Sequence, residues 1–206
     1  MVDESGDVTR LLDALRGGRG SLGDLAPLVY DELRAIAQAR MRRERDGHTL
    51  SATALVHEAW MRLDQNRQLS AANRGQFLAA ASEAMRRVLV DHARKVKSER
   101  RGGDRARMTI TLEECTVGDD ADRMLALDEA LETLAQADAR AAQVARLRLF
   151  SGLGPEEVAD VLETSVRTVG RDWTYARAHL TQFLTGRDSG DGGADDAQPR
   201  GGADGS

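Results

Sequence analysis

Apolar residues recur along most of this chain at spacings of three and four positions, with polar residues between them. This period is typical of helices that bury one face against a core. We therefore predict an all-α protein. The predicted helices cover residues 8–16, 22–45, 51–64, 76–101, 123–135, 138–150, 155–163 and 166–184.

Periodicity is lost between residues 102 and 122, where Gly, Asp and Thr are frequent. A shift of composition of this kind is typical of a domain boundary. We predict two small helical domains, 8–101 and 123–185, joined by a flexible acidic linker at 102–122. Residues 186–206 are rich in Gly and Asp and have almost nothing to bury, which predicts a disordered acidic tail.

Composition narrows the class of protein further. Aromatic residues make up only 3% of the 206 residues, which argues against a β-sandwich or barrel. The single cysteine, Cys115, excludes an internal disulfide and a thiolate metal cluster. No apolar run approaches the roughly 20 residues of a membrane span, and residues 1–7 do not resemble a secretion signal. We expect a soluble, cytoplasmic protein.

The net charge of −5 conceals a segregated distribution of charge. Residues 86–107 carry nine Lys and Arg against three acidic residues, a net charge of +6. Residues 113–138 carry nine acidic residues against one Arg, a net charge of −8. A concentrated basic segment favours a polyanionic partner even when the whole chain is acidic.

Signs of enzyme chemistry are missing from the sequence. The four histidines, His48, His57, His92 and His179, are scattered without a metal-ligand spacing. The chain also lacks a nucleophile elbow, a phosphate-binding loop and a dinucleotide fingerprint. We predict that the protein is not an enzyme and holds no metal or cofactor.

Residues 155–180 have the spacing of a helix-turn-helix: a short helix, a turn of three to four residues and a second helix. The residues expected to pack between the two helices are Val158, Ala159, Val161, Leu162, Val166, Val169 and Trp173. In proteins that use this motif on DNA, the second helix enters the major groove. The candidate DNA-binding residues are Ser165, Arg167, Thr168, Arg171, Asp172, Thr174 and Arg177. The spacing alone also fits an ordinary helical hairpin with a solvated charged face.

The same segment resembles the C-terminal DNA-binding region of bacterial RNA polymerase sigma factors of the sigma-70 family. The residues that carry the resemblance are Leu153, Glu157-Val158-Ala159, Leu162, Thr168-Val169, Ala176-Arg177 and Leu180. The sequence ALVHEAWMRL, residues 54–63, is similar to a helix in the first conserved domain of that family. Two such domains and a short linker are similar to the extracytoplasmic-function (ECF) class. Glu163 stands where the family usually has Gly, so we expect a turn of another type.

The resemblance implies a function for each domain. The first domain, sigma region 2, would bind the polymerase core and recognise the −10 element of a promoter. The second domain, sigma region 4, would read the −35 element with the helix-turn-helix. The implied partners are promoter DNA and the polymerase core, through its beta-prime clamp helices and its beta flap. An anti-sigma factor is left open as a further partner, and no membrane or small-molecule substrate is implied.

The residues of the first domain that match the polymerase-binding surface of the family are Leu55, Glu58, Trp60 and Arg62. Alternatives remain for two of these positions. Trp60 lies on the same apolar stripe as Leu55 and is compatible with a core role. Glu58 and Arg62 are four residues apart and are also able to pair with each other on one helix face.

The resemblance also assigns the −10 element to the basic helix and to the loop 65–75 before it. Its candidate phosphate contacts are Arg86, Arg94, Lys95 and Lys97, although a solvated basic face is the alternative. Asn66 and Asn73 match the position of a base-capturing loop, but Asn in a loop more often stabilises a turn. Residues 113–138 are either a solubilising segment or a nucleic-acid mimic that limits DNA binding by the free protein.

Two further interpretations of the whole chain remain open. A response-regulator type of DNA-binding protein would share the second domain, but it needs a receiver domain with alternating strands. A polymerase-binding decoy would bind the core without directing transcription. The sigma factor remains the leading interpretation.

Overall fold

The computed structural model describes residues 4–41, 50–65, 70–99, 112 and 121–186. Within these ranges the chain is 87% helical, with eight helices and no strand. The predicted all-α class is therefore confirmed. The predicted tail, most of the linker, Asn66 and Cys115 lie outside the described residues.

The first four helices come from the first half of the chain. Helix α1 spans Glu4–Arg16, and a short 3-10 turn at Leu22–Leu25 leads into α2, Ala26–Met41. Helix α3 spans Ala52–Gln65 and α4 spans Arg74–Glu99. The predicted helix at 22–45 thus begins as a 3-10 turn, and its last residues lie outside the described ranges.

The other four helices come from the second half. Helix α5 spans Ala121–Ala137, α6 spans Ala139–Phe150, α7 spans Pro155–Val161 and α8 spans Val166–Gly186. These bounds lie within two residues of the prediction at each end. Two caps show why: Asp138 accepts a hydrogen bond from the amide of Ala141 (2.9 Å) at the start of α6, and Gly152, at φ +73°, follows its end.

Buried apolar side chains form two clusters. One contains side chains from α1 to α4, and the other is built from α5, α6 and α8 with Leu112. The first cluster does not stop at the predicted domain boundary, because Val144 of α6 and Val158 of α7 belong to it. The halves of the chain are therefore packed against each other, chiefly through α4, which contacts α5, α6 and α7.

No helix in the described ranges is both long enough and apolar enough to cross a bilayer.

Candidate nucleic-acid interface

Helices α7 and α8 are joined by a tight turn built on backbone hydrogen bonds. The amide of Thr164 donates to the carbonyl of Ala159 (2.9 Å), and the amide of Glu163 donates to that of Asp160 (3.3 Å). This pair of bonds defines a Schellman motif, whose central residue is left-handed and usually Gly. Glu163 takes that place with φ +50°. Our expectation of another turn type was wrong, because the two bonds hold the backbone in this form despite the side chain.

The packing between α7 and α8 follows most of the predicted pattern. Val158, Ala159 and Val169 are buried, whereas Trp173 is half-buried and lies against the guanidinium of Arg148, 5.6 Å from the ring centre. Val166 departs from the prediction, since 44% of it is exposed. It opens the first turn of α8, outside the stripe of Val169 and Ala176 that faces the interior.

One face of α8 presents a row of exposed polar side chains. Arg167, Arg171 and Thr174 lie on this face, and Arg177 is exposed at its flank. Ser165 caps the helix: its Oγ accepts a hydrogen bond from the amide of Thr168 (3.1 Å) and lies 2.8 Å from the hydroxyl of that residue. This N-cap stabilises the first turn of α8, from which the polar row begins.

Asp172 does not belong to this exposed face, although we expected it to point outward. Its side chain is 4% exposed, and it accepts hydrogen bonds from Arg140 of α6 (Nε, 2.5 Å) and from Arg171 (Nη2, 3.2 Å). One residue of α-helix turns the side chain by about 100°, which carries Asp172 away from the row of Arg171. The hydrogen bond from Arg140, joined by that from Arg171, outweighs burial and lowers the pKa of this carboxyl group.

The predicted basic helix is the second half of α4, and its cations have different surroundings. Lys95 is exposed, Arg94 is 63% exposed and Lys97 is half exposed. Arg86 is not on the surface as expected, because its side chain is only 8% exposed. Its neighbour Arg87 faces solvent instead.

Arg86 is buried against two carboxylates. Its Nε and Nη2 donate to both carboxylate oxygens of Glu83, each at 2.9 Å, and its Nη1 donates to Asp128 of α5. The hydrogen bonds to Glu83 raise the pKa of Arg86 despite burial. Burial raises the pKa of Glu83, but the hydrogen bonds and charges of Arg86 and Arg87 together lower it below its usual value.

Acidic residues of α5 pair with further cations of α4. Asp128 also lies 3.4 Å from Nη2 of Arg94, and Asp122 lies 2.8 Å from Nζ of Lys97. Only 13% of the Asp128 side chain is exposed, because α4 and α5 together cover it. Part of the acidic segment 113–138 thus lies directly on the predicted DNA-binding helix.

Asn73, at the end of the loop before α4, has a structural role. Its Oδ1 accepts a hydrogen bond from the amide of Gln76 (2.9 Å), and its carbonyl accepts one from the amide of Phe77 (3.0 Å). Asn73 is therefore the N-cap of α4, in line with the alternative of a turn-stabilising residue.

A cavity of about 510 Å³ lies beside this loop. It is lined by polar groups that include Arg62, Gln76, Glu83 and Arg87, and Val161 of α7 forms part of its wall.

The candidate polymerase-binding residues of α3 divide between core and surface. Leu55 is fully buried, which contradicts its placement on a binding surface in this conformation. Trp60 is half-buried with its ring edge-on to Phe77, at 6.2 Å between centroids. Glu58 is exposed, and the guanidinium of Arg62 lies 2.9 Å from Asp91 of α4, so the alternative pair within α3 is replaced by one between helices.

Sequence reasoning missed three charged residues that organise this region: Glu83, Asp128 and Arg140. Glu83 precedes Arg86 and Arg87 by three and four residues, a spacing at which helix pairs form, so the sequence held a signal for it. Asp128 and Arg140 act across 42 and 32 residues of chain, and no local pattern marks them.

The described ranges hold no group of three or more His, Cys, Asp or Glu side chains placed to bind a metal ion.

The fold and this surface define a helical protein whose two halves both present basic helices. Comparison with family models matches residues 5–186 to the ECF sigma factors. The chain therefore belongs to the ECF sigma factor family, whose role is in transcription initiation with RNA polymerase core and promoter DNA. Comparisons with curated proteins and with solved structures give no match.

Proposed function

We propose that this protein directs the polymerase core to specific promoters. Residues 8–101 act as sigma region 2, which binds the core and the −10 element, and residues 123–185 act as sigma region 4, which reads the −35 element. The protein makes and breaks no bonds itself, because the polymerase supplies the chemistry. It works in the cytoplasm, where transcription takes place.

The observation that carries the proposal is the exposed row on α8. Arg167, Arg171 and Thr174 project from one face of a helix that follows a tight turn, and the opposite face is buried. A helix of about 10–12 Å diameter fits the major groove, where Arg bonds guanine through two hydrogen bonds. Ser165, Thr168 and Arg177 flank this row and reach the phosphates beside it.

On α4, the proposed DNA contacts are Arg94, Lys95, Lys97 and Arg86. The first three lie at the surface, whereas Arg86 becomes available only if α5 moves away. The cavity beside Ser70 and Ala71 has room for a single base, and its guanidinium and amide groups offer hydrogen bonds to a base edge. In this role Asn73 holds the loop in place as a cap.

Docking on the polymerase uses the exposed side of α3. Glu58 and the exposed part of Trp60 are the proposed contacts with the beta-prime clamp helices, and Arg62 adds a charge at the edge. Leu55 supports this surface from the core. The beta flap is the proposed second docking point on the core.

Run-off transcription with purified core polymerase and a library of genomic fragments tests the proposal. New start sites that share two spaced upstream elements are the expected result. Core binding without new start sites would identify a decoy. Specific duplex binding without core binding would identify a helix-turn-helix regulator.

Variants of α8 then test the role of the exposed row. Replacing Arg167 or Arg171 by Ala should lower discrimination for the upstream element by about 1–3 kcal/mol if these side chains bond bases. Arg171→Lys keeps the charge but loses the paired hydrogen bonds, so it should also lose discrimination. Arg34→Ala, an exposed change on α2, is the control and should behave as the wild type. A uniform loss of affinity on all sequences would assign these residues to phosphates.

A further inference from the structure

The basic helix α4 and the acidic helix α5 are in direct contact. Cations of α4 that the proposed function assigns to DNA already hold carboxylates of α5: Arg86 and Arg94 bind Asp128, and Lys97 binds Asp122. These pairs link residues at opposite ends of the linker. Such charge-assisted hydrogen bonds are the kind that the same side chains would make to phosphate oxygens.

The interface between the two halves of the chain extends beyond these ion pairs. At the start of α4, Gly75 lies so close to α7 that a β-carbon there would be 3.1 Å from Cγ2 of Val161. At the end of α2, the guanidinium of Arg40 lies over the ring of Phe150 in α6, 5.5 Å from its centre. The two halves are therefore held together by apolar and cation–π contacts as well as by the ion pairs, and α5 itself packs along α4.

We propose that α5 is a built-in competitor for DNA: in the free protein, Asp122 and Asp128 occupy the places on α4 that phosphates take when the two halves separate. This inference rests on the proposed function, because it takes α4 to be a DNA-binding helix.

Two neutral replacements on α5 test the proposal. Asp122→Asn with Asp128→Asn keeps side-chain size and removes the α5 carboxylates beside Lys97 and Arg94. Arg94 stays 3.7 Å from the exposed Asp91, and Arg86 keeps its bonds to Glu83. The matched control, Asp13→Asn with Asp31→Asn, removes the same charge from α1 and α2. Circular dichroism and urea unfolding verify that each variant is folded.

The measurement is fluorescence anisotropy with a labelled 20-base-pair duplex of random sequence, between 50 and 200 mM salt, without polymerase. Each added phosphate contact steepens the plot of log K against log salt by about 0.9. The α5 variant should therefore bind more tightly than the wild type, with a slope steeper by about two units. The control should stay within about two-fold of the wild type, because distant charges are screened at these salt concentrations.

Equal gains in the α5 variant and the control would overturn the proposal, and so would an unchanged slope. If the α5 variant fails to fold, hydrogen exchange on the wild type decides the matter. Saturating duplex should then reduce the protection of the α5 amides 121–137, and unchanged protection would overturn the competition. Run-off transcription with the polymerase core tests the proposed function separately, so the two are able to fail independently.

Discussion

Replacing Glu163 by Gly should stabilise the protein, although it removes a side chain. Glu163 holds φ +50° at the centre of the turn between α7 and α8. This left-handed conformation costs a residue with a β-carbon about 1–2 kcal/mol, whereas it costs Gly almost nothing. The amide bonds of Glu163 and Thr164 that define the turn are backbone bonds, so the substitution keeps them.

The expected gain is smaller than the strain itself. Gly adds freedom to the unfolded chain, which costs about 0.5–1 kcal/mol relative to Ala. The side chain of Glu163 is exposed, so little contact is lost with it. A net gain of about 0.5–1 kcal/mol in the free energy of unfolding remains.

The assay is urea unfolding followed by the fluorescence of Trp173, which lies on α8 beside the turn. A Trp60→Phe background removes the other tryptophan. Glu163→Ala is the matched control, because it removes the carboxylate and keeps the strained β-carbon. At equal m-values, Glu163→Gly should exceed Glu163→Ala in stability. Equal or lower stability of the Gly variant would refute the argument that this turn stores strain.

Three further changes test the packing. Asp172→Ala should cost about 1–3 kcal/mol at pH 7, because it removes a buried, hydrogen-bonded carboxylate. The folded-state pKa of Asp172 is lowered, so its contribution is full above the unfolded pKa of about 4 and is lost as the pH falls from there through the folded pKa. Urea titrations from pH 7 to pH 2 should therefore show the stability difference between the wild type and Asp172→Ala shrinking. Arg40→Ala should cost about 1 kcal/mol in urea unfolding through lost contact with Phe150, and no loss would show that this contact is incidental. Leu131→Ala in the second core should cost about 2–5 kcal/mol in the same assay, and a smaller loss would mean that the core collapses around the site.

The sequence predicted the positions of the helices because the interactions that begin and end a helix are local. An apolar stripe, a capping side chain and a helix-ending Gly all act within a few residues of each other. Asp138 and Gly152 therefore bound α6 close to the predicted positions. The turn at Glu163 was misjudged because residue preference alone was considered, while the backbone bonds of the turn decided its form.

Residue type and helical period also marked the charged faces of α4 and α8 as candidate contacts. These two signals did not show which residue of the pairs Arg86–Arg87 and Arg171–Asp172 is buried. The structure buries Arg86 and Asp172 and exposes Arg87 and Arg171. A rotation of about 100° per residue separates such neighbours, but only the position of the packed helix tells which of them is covered.

The sequence by itself determined the all-helical class, the approximate bounds of the described helices, and the resemblance that the family comparison confirmed. Each of these depends on neighbouring residues or on motif spacing. The tertiary structure alone decided that α5 lies on α4, that Asp128 joins Arg86 across 42 residues, and that Arg140 holds Asp172. These contacts depend on how separate helices pack, and the energy of a packed interface is distributed over residues that are distant in the chain.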